Sequence, residues 1–448
     1  MRECDAGARV LRLVYRKYAC QLAQHVELGR MLGLHAADAA AARALGSRLG
    51  FLNSLIGAAR VCLAVFDGSI RSALAPTPPG VHATPGIMEA EPVGADGAPM
   101  LHGLLMSLRY CLMEQPAPEV LVAPATPLWR QLLDAACALL LDAFEICTRA
   151  ISADVEGADA EATGDRDGVP ILRRIDGRGH IISGGACDDE DDVGVGDEHG
   201  ESDVVSRGAW LVVREVATAF AQLVGALPLE RDDGGSDSSA DGWRLRASFV
   251  ADFGHALVSS LCRVQQHGAV KHAGAALASV ASALQRLGAG HASLRALPAG
   301  WLRGLLDLIE TPAACVQRRS AGYGLAVQCL VASEPPAAAG ASRGTVHATM
   351  QFLLGRAGPE GSSGSGTVRA RVVALNVLRL LFADARLCTD TLMHVPSALE
   401  AAFNGFGAGE WAVRNSSMML YVAVVNRCAR VLVRHAPAAA LLGSNFSS

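Results

Sequence analysis

Apolar residues in this chain return at intervals of three and four, segment after segment, and almost nowhere alternate with polar ones. That spacing lines one face of a helix, whereas a half-buried strand needs alternation. In RGAWLVVREVATAFAQLVGAL it puts Trp210, Val213, Val216, Ala217 and Phe220 on one stripe, and an earlier segment does the same with Leu55, Ala58, Val61, Cys62 and Val65. Composition agrees: hydrophobic residues make up 51% of the chain but aromatics only 5%. The large rings that favour strands are scarce, while Ala and Leu favour helix.

The spacing predicts helices over 52–75, 101–113 and 127–150, and again from 207. Further segments cover about 244–263, 269–287, 299–308, 314–333, 346–354, 368–382, 393–403 and 410–433. Loops rich in Gly, Ser and Pro divide them, such as APTPPGVHATPG at 75–86 and GRAGPEGSSGSG at 355–366. Successive amphipathic helices without strand patterns imply an all-α fold, an armadillo/HEAT-like α-solenoid, although no strict repeat period is visible.

One segment breaks the pattern. Residues 152–206 are dominated by Gly, Asp and Glu, with CDDEDDVGVGDEHGES as the extreme. So little apolar surface cannot offset the entropy of ordering, which predicts a long disordered acidic insertion. The chain then reads as helical repeats over 1–151, an acidic linker over 152–206, and a helical-repeat core over 207–448. Of its 44 acids and 39 bases, sixteen acids and four arginines fall between Asp154 and Asp203, so the rest carries an excess of about seven positive charges. Nearly all of these are arginines, since Lys17 and Lys271 are the two lysines. Guanidinium groups suit phosphate contacts, although a solvated surface explains the same excess.

Other classes find little support. Leu132 to Ile146, the most apolar run, is interrupted by Asp134, Asp142 and Glu145, which argues against a membrane span, and no membrane is expected among the partners. The start, MRECDAGARV, lacks the apolar core of a secretory signal. Twelve cysteines without a CxxC pair fit buried reduced thiols, hence a cytosolic (cytoplasmic) or nuclear protein. His267 and His272 are spaced by five, on different helix faces, and no zinc pattern accompanies them. No GxSxG elbow or HExxH appears, and neither Gly355 nor the GAGH at 288–291 has the strand, lysine or acid that a nucleotide site needs. No catalytic constellation, metal site or cofactor is implied.

Three segments interrupt apolar helices with polar groups: VQRRSAGYG (316–324), VRARVVALNVLRLLFADARL (368–387) and WAVRNSSMMLYVAVVNR (411–427). Such Arg, Asn and Ser side chains can cap helix ends, bond carbonyls across a repeat, or reach RNA phosphates.

In this order the three segments resemble the hallmark of the thyroid-adenoma-associated protein (THADA) family, which includes the fungal partner subunit of a tRNA ribose 2′-O-methyltransferase. The hallmark reads approximately RRSAGLP, then ALNILR-LF-D-RL, then W-VRN(S)-ML. Here the counterparts are RRSAGYG, ALNVLRLLFADARL and WAVRNSSMML, with Tyr323-Gly324 in place of the final Leu-Pro. WLVVREVATAF and QHGAV are weaker matches to earlier family segments. The resemblance implies a non-catalytic helical scaffold, part of a longer protein. It would hold tRNA while an FtsJ-like methyltransferase, which binds S-adenosylmethionine itself, methylates the ribose at position 32 of the anticodon loop. By motif match, Arg318, Arg319, Ser320, Ala321 and Gly322 would be the functional stretch, touching tRNA, touching the partner or bracing the solenoid, with Asn376, Arg379, Arg414 and Asn415 as secondary positions. The alternative is a HEAT-type protein–protein adaptor with no RNA contact.

Overall fold

The computed structural model describes residues 2–17, 47–74, 97–113, 127–160, 201–232, 243–264, 266–309, 321–336, 343–358 and 367–435. Thirteen α-helices lie among them: α1 (Arg2–Lys17), α2 (Ser47–Leu74), α3 (Gly97–Met113), α4 (Pro127–Ala160), α5 (Glu201–Ala226), α6 (Ala247–Arg263), α7 (His267–Gln285), α8 (Ala292–Leu308), α9 (Ala321–Ser333), α10 (Gly344–Ala357), α11 (Val368–Ala383), α12 (Val395–Phe406) and α13 (Trp411–His435). No strand is present among the described residues, and the one β-bridge joins Leu229 to Leu245. The fold is all-α.

Helices of odd and even number fall into two layers. Helices α3, α5, α7, α9, α11 and α13 form one continuous row, each packing on the next. On the other side α2 packs on α4, α4 on α6 and α6 on α8, while α10 meets α12. Across the layers α2 packs on α3, α4 on α5, α6 on α7, α8 on α9, α10 on α11 and α12 on α13. This is a stack of helix pairs, in which each pair buries its apolar faces against its neighbours.

One hydrophobic core runs through the stack from Phe51 to Val424. The two helical stretches flanking the acidic segment share it, because α5 packs on both α3 and α4. Phe220 of α5 stacks on Phe253 of α6 with ring centroids 4.1 Å apart, and Phe144 of α4 meets Phe253 at 5.0 Å. The segment expected to lack order is helical at both ends, since α4 continues to Ala160 and α5 begins at Glu201; its middle, 161–200, lies outside the described residues.

Local chemistry explains several boundaries. Gln266 caps α7 by accepting from the Ala269 N–H, and Thr367 caps α11 by accepting from the Ala370 N–H at 3.3 Å. The helix expected to begin at Ala299 instead runs from Ala292 through Pro298. An interior proline costs the bond to the carbonyl four residues back. Here Pro298 is itself buried, on the side that also buries Leu294, Trp301, Leu302 and Leu305. The apolar burial outweighs the lost bond.

Among the described residues, two helical stretches, 51–68 and 208–226, are by length and composition long and apolar enough to cross a membrane. They differ from the run at 132–146 that the sequence made the strongest candidate. About half of each stretch is buried within the stack, as core helices of a layered protein require. Among the described residues, Cys62, Cys111, Cys137, Cys147, Cys262, Cys329, Cys388 and Cys428 form no disulfide, and burial, with Asp134 nearby, pushes Cys137 up to about 12.

Candidate functional site

The motif-bearing segments come together where α9, α11 and α13 adjoin in the odd row. Ala321 opens α9. A Cβ added at Gly322 would land on the Leu261 carbonyl oxygen near the end of α6, and would lie 3.0 and 3.2 Å from that residue's C and Cα. Glycine is needed here for close approach of two backbones. Tyr323 is buried, and its hydroxyl donates to the Leu305 carbonyl of α8 at 2.8 Å; burial pushes its phenol well above the ordinary range. A Cβ on Gly324 would meet the Leu380 side chain of α11 at 2.6 Å. The first turn of α9 is therefore wedged between α6, α8 and α11. Tyr323 and Gly324, the departure from the family pattern, are part of that wedge. Arg318, Arg319 and Ser320 immediately precede it and lie outside the described residues.

The secondary positions divide by role. Asn376 of α11 donates through Nδ2 to the Ser416 hydroxyl of α13 at 3.2 Å, tying the two helices. Arg414 turns back and donates to the Ala408 and Gly409 carbonyls at 2.7 and 2.6 Å, closing the turn between α12 and α13. Arg379 is half-buried, and its Nε has no hydrogen-bond partner. Asn415 is exposed.

Arginines that sequence reasoning did not single out carry more of the framework. Arg427 of α13 is buried and donates to the Phe382 carbonyl through Nε at 2.8 Å, and to the Asp384 carbonyl through Nη2. These two carbonyls are freed at the end of α11, so the guanidinium caps that helix from its neighbour. Arg371 donates to the Ala357 carbonyl at 3.2 Å. Arg343 bonds the Glu334 and Arg386 carbonyls at 3.1 and 2.8 Å and pairs with Asp390 at 3.3 Å. Asp384 pairs with Arg386 at 2.7 Å and accepts from Gln328 of α9 at 3.0 Å. Burial alone would raise the Asp384 carboxyl, but the hydrogen bonds from Arg386 and Gln328 hold it below the ordinary carboxylate value. The signal for these was the arginine excess itself. Its partners were unreadable, because backbone carbonyls leave no mark in sequence.

Among the described residues no group of three His, Cys, Asp or Glu is placed to hold a metal ion. His267 and His272 do not converge with other ligands. His347 of α10 and His394 at the foot of α12 share a hydrogen bond, Nδ1 to Nε2, at 3.2 Å. Open grooves lie between described helices. One, about 480 Å³, lies between α5 and α7 and is lined largely by small side chains. Another, about 500 Å³, lies between α4 and α6 beside Glu145, Arg149, Asp252, His255 and Arg263. Arg263 stands two residues beyond Leu261, the residue against which Gly322 is seated.

A sequence profile described as THADA/TRM732, DUF2428 matches residues 131–412, which run from α4 to the opening of α13. The human "tRNA (32-2'-O)-methyltransferase regulator THADA" is 33% identical over 222 residues, 49% of this chain and 11% of that protein. The Drosophila melanogaster regulator is 23% identical over 344 residues, 73% of this chain and 18% of its own length. The Schizosaccharomyces pombe "tRNA (32-2'-O)-methyltransferase regulator trm732" is 25% identical over 131 residues, 29% of this chain and 9% of its own. The chain thus spans about a tenth to a fifth of the length of these curated relatives. No solved structure matches it.

Proposed function

The chain belongs to the THADA/TRM732 family, and from that premise we propose that it is a non-catalytic scaffold that holds tRNA for 2′-O-methylation of the ribose at position 32. The bond-making step belongs to a partner, an FtsJ-like methyltransferase carrying S-adenosylmethionine, in the cytoplasm. The relatives are named regulators of that methyltransferase rather than the enzyme itself, which supports an accessory role here. A rigid stack of helices suits a task of positioning, since holding two reactants in register contributes rate without chemistry of its own.

The observation that carries the reading is the wedge at the start of α9. Its first turn is fixed from three sides, by Leu261, Leu305 and Leu380. Immediately before this fixed turn in the sequence stand Arg318, Arg319 and Ser320, the polar residues of the motif match. Arg414 and Asn376 are engaged in intramolecular bonds, so Arg318 and Arg319 are assigned the external contact. Ala321 and Gly322 are assigned to the fixed turn.

Phosphate contacts make binding fall steeply with salt. Filter binding of tRNA to the full chain is expected to weaken as salt rises. Arg318→Ala with Arg319→Ala is expected to lower the slope of log affinity against log salt by about 2. Undetectable or salt-insensitive tRNA binding would favour the adaptor reading, in which the stack contacts proteins alone.

A further inference from the structure

The groove between α4 and α6 holds chemistry that the motif segments do not use. It lies inside the stack rather than at its end, because α4 packs also on α2 and α6 also on α8. Asp134 of α4 accepts from Trp243 and Arg246, just ahead of α6, and further along Phe144 meets Phe253. The two helices therefore run side by side in the same direction. That direction sorts the charges lining the groove: the carboxylates of Glu145 and Asp252 come first, the guanidinium groups of Arg149 and Arg263 later, and His255 between them. None of the five is ion-paired with another described residue. Arg263 donates through Nε to the Ser259 carbonyl at 3.5 Å, which leaves its Nη groups for another acceptor. Thr148 also lines the groove; it is only 3% exposed, and its Oγ1 has no hydrogen-bond partner. A buried hydroxyl without a partner is costly, so this position suits a polar group that arrives with a ligand.

We propose that this groove clasps a ribose-phosphate unit of an RNA strand, with the phosphate on Arg149 and Arg263 and the 2′-hydroxyl donating to the carboxylate end. The inference rests on the tRNA reading above and adds a second point of contact to it. Guanidinium forks match phosphate oxygens, and carboxylates accept from ribose hydroxyls. Glu145 and Arg149 are about 6 Å apart along α4, at 1.5 Å per residue, so both ends fall within reach of neighbouring groups on one strand. An acidic peptide would meet Glu145 and Asp252 as like charges, and DNA would bring no hydroxyl to them. The arginine end also adjoins the motif: Leu261, on which Gly322 at the start of α9 is seated, stands two residues before Arg263.

Fluorescence anisotropy of the 448-residue chain with a labelled RNA hairpin, and with DNA of the same sequence, tests the groove. The wild type should prefer RNA. Arg149→Ala with Arg263→Ala should lower the slope of log affinity against log salt by about 1, the loss of one phosphate contact. Glu145→Ala with Asp252→Ala should cut the preference for RNA over DNA by about tenfold. Thr148→Val should weaken RNA binding by about threefold while the urea midpoint stays at or above wild type, since the free protein loses no hydrogen bond there. Adenosine 5′-monophosphate at millimolar concentration should leave the RNA bound; displacement would assign the groove to a free nucleotide and overturn the proposal. Equal wild-type affinity for RNA and DNA overturns it as well. RNA binding that Arg318→Ala/Arg319→Ala weakens and the groove variants leave unchanged overturns the groove but keeps the tRNA reading, whereas no RNA binding at all removes both.

Discussion

Replacing Gly322 with alanine should destabilise the protein, although helix propensity alone predicts the reverse. Alanine is favoured over glycine within a helix by about 1 kcal/mol. At Gly304 of α8 an added Cβ meets nothing within 4 Å, so Gly304→Ala should raise stability by up to about 1 kcal/mol. At Gly322 the same Cβ would clash with the Leu261 carbonyl oxygen and press on the Leu261 C and Cα at 3.0 and 3.2 Å. Those atoms are backbone within α6 and cannot rotate aside, so α9 must move away by about 1 Å. Overpacking of this kind costs about 1–3 kcal/mol, and opposing backbone belongs at the upper end. Net of propensity, Gly322→Ala should cost about 2 kcal/mol. Urea midpoints of the two variants, measured together, should move in opposite directions. The displaced turn should also lower ribose methylation by up to about 100-fold, since a 1 Å misplacement can cost that much. A Gly322→Ala midpoint at or above wild type would refute the close approach of α9 and α6.

Arg427→Ala strips the donor from two carbonyls at the end of α11 and should cost about 3 kcal/mol in a thermal or urea melt; a loss under 1 kcal/mol would show that cap to be dispensable. Arg109 of α3 and Glu215 of α5 form a buried ion pair, with Gln222 as a further acceptor for Arg109 at 3.2 Å. Glu215→Leu alone should destabilise by about 3–5 kcal/mol by leaving a buried guanidinium uncompensated, while Arg109→Met with Glu215→Leu should recover most of that loss in a double-mutant cycle. His102 is buried with Nε2 unpartnered, and burial, reinforced by Arg214 and Arg109, lowers it from 6.5 to about 4. The unfolded chain therefore takes up that proton more readily. The contribution, up to about 3 kcal/mol, is fully present above pH 6.5 and fades as the pH falls towards 4. His102→Leu should flatten that part of the stability profile, and an unchanged profile would remove His102 as its source.

Much of the fold was legible because helices announce themselves through local spacing. The stripe from Trp210 to Phe220 became α5, and VRARVVALNVLRLLFA became α11 within a residue of its expected end. The misreadings have local causes. The helix expected over 299–308 starts just after Pro298, because an interior proline is normally disfavoured, but tertiary burial of its ring carries α8 through it. The acidic composition of 152–206 concealed the last turns of α4 and the first of α5. Long-range pairing was beyond reach: Arg109 and Glu215 stand 106 residues apart, and nothing in either segment names the other. At the candidate site, motif matching marked the stretch that holds Gly322, while the close approach of Gly322 to the Leu261 backbone joins two distant segments and could not be read from either. Of the motif's polar residues, sequence could not separate Asn376 and Arg414, whose bonds are internal, from Asn415, which faces outward.

The central claim is the proposal that Arg318 and Arg319 contact tRNA while another protein makes the bond. Its most direct test is ribose methylation at position 32 in cells depleted of their own regulator, with this chain carried in the full-length protein beside its methyltransferase. The account predicts that Arg318→Ala with Arg319→Ala abolishes methylation while thermal stability and methyltransferase co-purification stay at wild-type levels. Undiminished methylation by that folded double variant would contradict it.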